Sequence, residues 1–223
     1  MKLEIVHTKD SSLTLYNKEL DEHYHSVHGA KNESLHVFIN SGLQQCAANP
    51  INIYEVGFGT GLNAYLAIEW AEKNKRKINY FAVEKYPLPK QIINTLAKQN
   101  GIDSELYKRI QAEECSTENV QVSQHANFRL VHDDCLSLDL SSLPLFDVIF
   151  FDAFAPDKEV TDKELWSSEH FKKIYEHSNE KGIFVSYCAK GAVRRALESV
   201  GYKMERIPGP VGKREMLRGR KLI

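Results

Sequence analysis

A glycine-rich segment between a predicted strand and a predicted helix constrains the fold of this chain more than any other feature. The strand is Ile51–Val56, and the segment GFGTG, residues 57–61, separates it from a helical pattern over Leu62–Asn74. Glycines permit a tight turn and let a ligand approach the backbone closely. In open α/β sheets, ligands bind beyond the carboxyl ends of strands, near the point where the strand order reverses. The segment therefore predicts an α/β fold with a ligand site at its first strand–helix turn, the alternative being a tight turn without a ligand.

Apolar runs and helical patterns continue to alternate after this unit. The runs are rich in β-branched or aromatic residues and mostly end at turn residues, which is typical of strands. Repeated strand–helix units predict a mostly parallel sheet with helices on both faces. Further strands are predicted at Ile78–Val83, Asn127–Val131, Phe146–Phe151 and Gly182–Tyr187, and further helices at Leu88–Gln99, Glu164–Ser178 and Ala192–Val200.

Two more strand patterns close the chain, at Tyr202–Ile207 and Glu215–Arg218. The spacer Pro-Gly-Pro-Val-Gly, residues 208–212, is too short for the crossover helix that a parallel pair requires. The two strands are therefore predicted to pair antiparallel at the edge of the sheet.

The first part of the chain, residues 1–49, is predicted to be an extension packed on a main domain of residues 50–223. Within it, Leu3–His7 and Leu13–Tyr16 predict a hairpin, and Glu33–Gln45 predicts a helix.

Two polar stretches carry little pattern. Asp21–Lys31 is expected to be a loop that holds three histidines, and Gly101–Ala126 to be a surface excursion with a short helix. No metal site is predicted in the first loop, because neither nearby cysteines nor an HExxH helix complete a ligand set.

Composition excludes several classes of protein. The chain has 223 residues, of which 42% are hydrophobic and 26% charged, so wholesale disorder and fibrous folds are excluded. No run approaches the roughly 18–20 apolar residues of a membrane helix, and the polar N-terminus does not resemble a signal peptide. Four scattered cysteines are expected to be reduced, mostly buried thiols in a cytoplasmic protein: Cys46, Cys115, Cys135 and Cys188.

The spacing of the glycine segment selects the type of ligand. It departs from the GxGxxG pattern of dinucleotide sites, and it lacks the GK[ST] ending of a Walker A loop. Glu55, just before the first glycine, would repel phosphates but suits a cationic ligand without phosphate, such as S-adenosylmethionine. The cofactor-binding candidates in this segment are Glu55, Gly57, Phe58, Gly59, Thr60, Gly61 and Asn63.

Further acidic residues stand where the next two strands end. Glu84 follows the second strand, 27 residues after Gly57, a position from which a carboxylate can take both hydroxyls of a ribose. The third strand ends at Asp133 and Asp134, and Asp134 is the better candidate for an adenine amino group, with Asp133 in reserve. Strand-end acidic residues are also ordinary turn chemistry or exposed surface charges, which is the alternative here.

Asp152 is the catalytic candidate. It follows Phe146–Phe151, the most hydrophobic strand and hence the expected centre of the sheet. Methyl transfer to nitrogen needs a free lone pair, so a nearby carboxylate can orient a substrate ammonium and accept its proton. Phe154 is expected to shape the pocket and Pro156 to stiffen the loop. A structural role for Asp152, capping the loop, is the alternative.

Several residues in the last quarter of the chain, from Trp166 onward, are weaker candidates. Trp166 is expected either to stack on a base or to have a half-buried packing role. Lys190 and Arg194 flank the start of a helix, while Lys213 and Arg214 begin a basic end in which seven Lys/Arg and two Asp/Glu give a net charge of +5 over residues 203–223. These residues are expected to grip phosphates or to form a solvated face.

Taken together, the motifs resemble the methyltransferase half of the bacterial MnmC family of tRNA 5-methylaminomethyl-2-thiouridine biosynthesis proteins and its stand-alone, MnmD-type relatives. The resemblance covers nearly the whole chain. It depends on the glycine segment and on four further segments: Tyr24-His25-Ser26, Gly29-Ala30 with Glu33-Ser34, Asp152-Ala153-Phe154-Ala155-Pro156 followed by Trp166, and Lys213-Arg214-Glu215-Met216-Leu217.

The resemblance implies a class I Rossmann-like fold that uses S-adenosyl-L-methionine to methylate the aminomethyl group of the wobble uridine in a tRNA anticodon stem-loop. It implies that Asp152 meets the substrate amine, and that Gly57, Gly59, Glu84 and Asp134 line the cofactor. The loop of Tyr24, His25 and Ser26 would flank the substrate entrance with the segments Lys190–Arg195 and Lys213–Arg218.

One departure from the family is expected. The FAD-dependent oxidase half has no room in this chain, and no second glycine fingerprint is present. Two alternatives stay open: N-methylation of a small-molecule amine, and a non-catalytic RNA- or nucleotide-binding module on the same fold.

Overall fold

The structure is a computed structural model that describes residues 2–99, 104–112, 119–156 and 163–222. Its strands, in chain order, are β1 (Leu3–His7), β2 (Leu13–Asn17), β3 (Glu22–His23), β4 (Ile51–Val56), β5 (Ile78–Val83), β6 (Val120–Gln121), β7 (Ala126–Val131), β8 (Phe146–Phe151), β9 (Ser178–Ser186), β10 (Tyr202–Pro208) and β11 (Glu215–Lys221). Its α-helices are α1 (Ala30–Ser34), α2 (Leu62–Asn74), α3 (Lys90–Gln99), α4 (Ser104–Ala112), α5 (Ser168–Glu176) and α6 (Gly191–Ser199).

Strands β4 to β11 form one sheet in the order β10-β11-β9-β8-β4-β5-β7-β6. The five central strands, β9 to β7 in that order, are parallel, whereas β6, β10 and β11 pair antiparallel with their neighbours. The mostly parallel sheet and its antiparallel C-terminal hairpin are therefore confirmed. From β4 the chain proceeds to one side through β5 and β7, and then to the other side through β8 and β9, so the strand order reverses between β4 and β8.

The two faces of the sheet contribute to two hydrophobic clusters, because successive side chains of a strand point in opposite directions. In β4, Ile53 packs in the cluster that includes α2, whereas Tyr54 packs in the cluster that includes α5 and α6. In β8, Phe150 and Phe151 divide in the same way. All six β8 residues are buried, which confirms the expected central strand.

The N-terminal residues form a separate small sheet in the order β1-β2-β3, which confirms the predicted hairpin. Leu13 and Leu15 of β2 are fully buried and join the α2-side cluster. The predicted polar loop Asp21–Lys31 differs, because it contains β3 and the start of α1.

Two predicted helices are interrupted. In Glu33–Gln45, α1 passes into a π-helix over Leu35–Asn40, and a 3-10 turn over Leu43–Gln45 follows. A Cβ at Gly42 would lie 2.7 Å from the Phe38 carbonyl oxygen and 2.9 Å from Val185 Cγ2, so the chain packs directly on β9 there. The predicted helix Glu164–Ser178 is divided by Ser167, whose extended backbone and side-chain oxygen cap the N-terminus of α5.

The bounds of β4, α2, β5 and β8 agree with the predicted ones. The other bounds differ by a few residues, as in β9, which begins at Ser178 rather than Gly182. The predicted short helix within Gly101–Ala126 is α4, and parts of that excursion, including Cys115, lie outside the described residues. Cys135 and Cys188 are buried free thiols and Cys46 is a half-buried one. Among the described helices, none is both long and apolar enough to cross a membrane.

Candidate functional site

A cavity of about 320 Å³ opens at the carboxyl ends of the central strands, where the strand order reverses. Its volume is at the lower end of the range typical of small-molecule sites. Four strand-end loops and the N-terminal extension form its wall: Val56–Thr60, Val83–Tyr86, Asp133–Leu136 and Asp152–Phe154, with Leu165, and Asn17, Glu19, Leu20, Glu22, Tyr24 and His25 from the extension. The strand ends identified in the sequence thus meet in one place.

The glycine segment makes a turn that larger side chains would obstruct. Gly57 has a φ of +87°, and a Cβ there would lie 2.9 Å from the backbone oxygen of Asp152. Gly59 has a φ of +52°, and a Cβ there would lie 3.2 Å from the Tyr24 ring. The segment therefore holds the loops after β4 and β8 in direct contact, which brings the catalytic candidate to the cavity.

Glu84 joins the loops after β4 and β5. One carboxylate oxygen accepts the Gly59 N–H at 2.8 Å, and the other accepts the Tyr86 N–H at 2.8 Å. Burial raises the pKa of this carboxyl, and the backbone donors oppose that shift. The two oxygens of a carboxylate offer about four acceptor positions, so the group can still accept hydrogen bonds from a ligand in the cavity.

Asp133 and Asp134 line the same end of the cavity. Asp134 accepts a 2.6 Å bond from Lys85 Nζ and a 3.0 Å bond from the Leu136 N–H. The Lys85 bond lowers the pKa of Asp134. Asp133 Oδ1 accepts the backbone N–H of Asp134 at 2.7 Å. The adenine-binding candidate is therefore already paired with a lysine that the sequence pattern did not single out.

Glu55 is displaced from its expected position against the ligand. It is fully buried and lies behind the glycine segment rather than in the described cavity wall. The Asn63 side-chain nitrogen donates to Glu55 Oε1 at 2.9 Å and to Asp152 Oδ2 at 2.7 Å, while the Tyr80 hydroxyl donates to Glu55 Oε2 at 2.9 Å. Strand alternation turns Glu55 toward Tyr80 on the α2 face, so Glu55 and Asn63 support Asp152 from beneath the cavity.

Asp152 itself lines the cavity. Burial raises the pKa of its carboxyl well above the ordinary value, and the negative charge of Glu33 raises it further. The Asn63 hydrogen bond and the Lys213 charge act in the opposite direction. A carboxyl group with raised proton affinity, anchored through one oxygen, suits proton exchange with a basic ligand.

Aromatic rings shape the cavity beside Asp152. Tyr24 and Phe154 meet edge to face with ring centroids 5.2 Å apart. Trp166 is 5% exposed, packs against Phe151 at 4.7 Å, and donates its indole N–H to the Phe154 carbonyl at 2.9 Å. Of the two alternatives for Trp166, the structure supports packing, because its ring is part of the core and holds the Phe154 loop. Pro156 follows that loop outside the described cavity wall.

Three residues from distant parts of the chain form a group that we call the clasp: Glu33, Tyr187 and Lys213. Lys213 Nζ donates to Glu33 Oε1 at 2.6 Å and lies 3.9 Å from the centroid of the Tyr187 ring. The other Glu33 oxygen accepts the Ser26 N–H at 2.7 Å, and the Tyr187 hydroxyl donates to the Ala153 carbonyl at 2.9 Å. The clasp thus ties Ser26 and the loop after β8 to the C-terminal hairpin, and it gives Lys213 an internal partner, Glu33.

His25 is buried beside the clasp and lines the cavity. Its backbone N–H donates to Thr14 Oγ1 at 3.0 Å, and its Nδ1 lies 3.2 Å from the same oxygen. Burial lowers the pKa of the imidazole to about 4, and the Lys213 charge adds to that shift while Glu33 opposes it. His25 is therefore neutral near pH 7.

Several residues of the basic C-terminal part are engaged within the chain. Arg194 pairs with Glu198 at 2.5 Å and Arg218 with Glu205 at 2.8 Å. Lys221 donates to the carbonyl groups of Tyr175 and Ser178. Arg214 is exposed in the hairpin loop beside the clasp, and Lys190 immediately precedes α6 at half exposure. Ion pairing therefore neutralises much of the local positive charge.

Sequence patterns did not reveal several residues of the site. Glu33 and Lys213 stood in recognised segments, but their pairing spans 180 positions and has no local signal. Thr14, which contacts His25, and Tyr187, which contacts Lys213, stood in predicted strands but in none of the motifs. The cavity-lining part of the extension that no motif indicated is Asn17, Glu19, Leu20 and Glu22.

Comparison with known proteins adds a family match. Residues 97–222 match a family model described as S-adenosyl-L-methionine-dependent methyltransferase. The chain is 29% identical over 221 residues to the tRNA 5-methylaminomethyl-2-thiouridine biosynthesis bifunctional protein MnmC of Marinomonas sp. (strain MWYL1), with 92% of this chain and 32% of that protein covered. It is 31% identical to the protein of the same name from Burkholderia mallei (strain NCTC 10229), with 88% of this chain and 32% of that protein covered.

The chain thus spans about a third of the length of these curated relatives. Among solved structures, it resembles MNMC2 from Aquifex aeolicus, with a TM-score of 0.75 and 25% sequence identity. That similarity covers 99% of this chain and 70% of the other.

Proposed function

The chain belongs to the S-adenosyl-L-methionine-dependent methyltransferase family, and from that premise we propose that it methylates the amine of 5-aminomethyl-(2-thio)uridine at the wobble position of tRNA. The product would be the 5-methylaminomethyl nucleoside. One observation carries the proposal: a half-buried carboxylate, Asp152, lines the cavity immediately beside the glycine segment.

The cavity suits S-adenosylmethionine. Because glycines carry no side chains, the glycine segment leaves room for a ligand against its backbone. Glu84, Asp133 and Asp134 offer acceptors for ribose hydroxyls and an adenine amino group at one end of the cavity. Acidic groups line this cavity, which favours a cationic sulfonium over a phosphate. Bound there, S-adenosylmethionine supplies an electrophilic methyl group.

Asp152 would prepare the substrate. A primary alkylammonium has no free lone pair, so it must lose a proton before its nitrogen can form a bond to carbon. The carboxylate orients the ammonium and takes that proton, and its raised proton affinity makes the transfer easier. Asn63 holds one oxygen of Asp152, so the other is left for the amine. Alignment of nitrogen and methyl group provides much of the remaining rate enhancement.

The tRNA substrate is inferred from similarity to relatives whose names state tRNA 5-methylaminomethyl-2-thiouridine biosynthesis. We place the anticodon stem-loop against the side of the cavity formed by Tyr24, His25 and Ser26 and by the C-terminal hairpin loop. The exposed Arg214 in that loop is the candidate phosphate contact. In this arrangement the N-terminal extension supplies one wall of the site.

The test is methyl transfer from labelled S-adenosylmethionine to two tRNA pools, one carrying the aminomethyl wobble uridine and one lacking it, followed by nucleoside analysis. Label is expected only in the first pool, as the methylaminomethyl nucleoside. Asp152→Asn should abolish transfer while cofactor affinity, measured by calorimetry, stays within a few-fold of the original. Asp139→Asn, an amide substitution at an exposed turn, is the matched control.

Each unfavourable result has a distinct meaning. Cofactor binding without label in either pool would reject the tRNA substrate and favour a small-molecule amine or a non-catalytic module. Full turnover by Asp152→Asn would reject the assigned role of Asp152 alone.

A further inference from the structure

The hydrogen bonding of Thr14 determines which nitrogen of His25 carries a proton. Thr14 is fully buried, and its Oγ1 already accepts the backbone N–H of His25. Within the described residues, the one acceptor recorded within reach of the Thr14 hydroxyl proton is His25 Nδ1, at 3.2 Å. The reverse arrangement, with Nδ1 as donor, would leave a buried hydroxyl proton unpaired, which is costly. Nδ1 is therefore the acceptor.

A neutral imidazole with an acceptor at Nδ1 must carry its proton at Nε2. The neutral state follows from the burial of the ring and from the positive charge of Lys213. No described side chain accepts the Nε2 proton. Among the described residues, Nε2 is also not one of the side-chain atoms that are both buried and without a hydrogen-bond partner, so it is accessible from outside. Because His25 lines the cavity, this N–H is available to a ligand there.

The Nε2–H donor and the Asp152 carboxylate belong to the same end of the cavity. Tyr24, the residue before His25, packs on Phe154 of the Asp152 loop with ring centroids 5.2 Å apart. In the same loop, the Ala153 carbonyl accepts the Tyr187 hydroxyl, and the Tyr187 ring contacts Lys213, the partner of Glu33. Glu33 also binds the N–H of Ser26, the next residue after His25. The site thus presents an anionic group for an amine and, close by, a neutral hydrogen-bond donor for an acceptor atom.

A pyrimidine that carries an aminomethyl group has such an acceptor on the adjacent ring carbon when the ring is a uracil. In a cytosine ring the same position carries an amino group, which is a donor. We propose that the Nε2–H of His25 donates a hydrogen bond to this ring carbonyl, so that His25 selects uracil over cytosine rings. The inference rests on the proposed function and adds the ring atom that is recognised.

The first experiment compares two RNA stem-loops that differ in one base, 5-aminomethyluridine or 5-aminomethylcytidine. The unmodified protein is expected to prefer the uridine RNA in kcat/KM by at least about tenfold, the value of one neutral hydrogen bond. His25→Leu should lose about tenfold on the uridine RNA and abolish the preference. His25→Gln is the matched variant, because its amide nitrogen reaches about as far as Nε2, and it should keep most of the preference.

The second experiment measures the tautomer directly, by nitrogen chemical shifts in protein labelled at histidine. The expected state for His25 is neutral with the proton on Nε2, in the unmodified protein and in Thr14→Ser, which keeps the hydroxyl. Thr14→Val should shift the proton toward Nδ1. A proton on Nδ1 in the unmodified protein would overturn the inference whether or not any variant folds.

The results separate this inference from the proposed function. If the unmodified protein methylates the uridine RNA and His25→Leu retains the base preference, the role of His25 is refuted while the proposed function stands. If the unmodified protein binds S-adenosylmethionine but methylates neither RNA, both are refuted.

Discussion

The Glu33–Lys213 ion pair of the clasp leads to a prediction about stability, because its two charges differ in burial. The Glu33 side chain is 7% exposed, whereas that of Lys213 is 33% exposed. Removing the lysine charge leaves a carboxylate inside the protein, with the Ser26 N–H as its remaining described donor. Removing the glutamate charge leaves an ammonium that water can reach and that still lies 3.9 Å from the centroid of the Tyr187 ring. The two substitutions should therefore differ in cost.

The magnitude follows from this asymmetry. Breaking a buried pair by removing one partner costs about 3–5 kcal/mol, and the partial exposure of Lys213 reduces this to about 2–3 kcal/mol for Lys213→Met. For Glu33→Gln we expect about 1 kcal/mol, because the amide oxygen still accepts the Ser26 N–H and the ammonium keeps its contact with Tyr187. The double variant leaves no buried charge unpaired, so it should cost about 1 kcal/mol, about as much as Glu33→Gln alone, which corresponds to a coupling energy of about 2–3 kcal/mol.

The assay is urea unfolding of the two single variants, the double variant and Lys213→Arg, which keeps the charge and serves as the control. In a thermal scan, Lys213→Met should lower Tm by about 4–12 °C, given about 2–4 °C per kcal/mol for a chain of this size. A Glu33→Gln loss equal to or greater than that of Lys213→Met would refute the asymmetry. Additive losses in the double variant would refute the direct coupling.

Three further predictions concern the cavity. Because the pKa of the Asp152 and Glu84 carboxyls is raised, both protonate at higher pH than ordinary carboxyls. The preference for cationic S-adenosylmethionine over neutral S-adenosylhomocysteine should therefore shrink as pH falls from about 8 to about 5. A ratio of the two affinities that stays constant in calorimetry would contradict this. Gly57→Ala should lower stability by about 1–3 kcal/mol and weaken cofactor binding, because of the positive φ and the 2.9 Å approach to the Asp152 backbone oxygen. Denaturant unfolding and calorimetry check this, and unchanged values would contradict it. Trp166→Phe keeps the ring packing but removes the 2.9 Å hydrogen bond to the Phe154 carbonyl. We expect a loss of about 1 kcal/mol in stability and a lower kcat at nearly unchanged cofactor affinity. A change in cofactor affinity alone would contradict this role of Trp166.

Much of the fold was accessible from the sequence because its signals are local. The bounds of β4, α2, β5 and β8 agree with the predicted ones, since each element has a continuous apolar run or helical pattern ended by turn residues. Helix ends that depend on packing were less accessible. The break at Gly42 comes from its contact with β9, and no local pattern announces that contact.

The chemistry of the site was accessible in part for the same reason. In a parallel sheet the carboxyl ends of the strands share one edge, so acidic residues after β5, β7 and β8 had to come near the glycine segment. The orientation of individual side chains was not determined in this way. Glu55 turns beneath the loop, and Trp166 turns into the core, because each has a better partner there: Tyr80 and Asn63 for Glu55, and Phe151 for Trp166.

The sequence by itself determined the succession of strands and helices along the chain, the glycine turn and the strand ends that carry chemical groups. These features follow from patterns within a few residues. Only the tertiary structure decided that Lys213 pairs with Glu33, that Thr14 orients His25, and that the N-terminal extension closes one side of the cavity. These contacts join segments that are far apart in the chain. Their partners are selected by which loops the folded sheet brings together and by the cost of leaving a buried polar group unpaired.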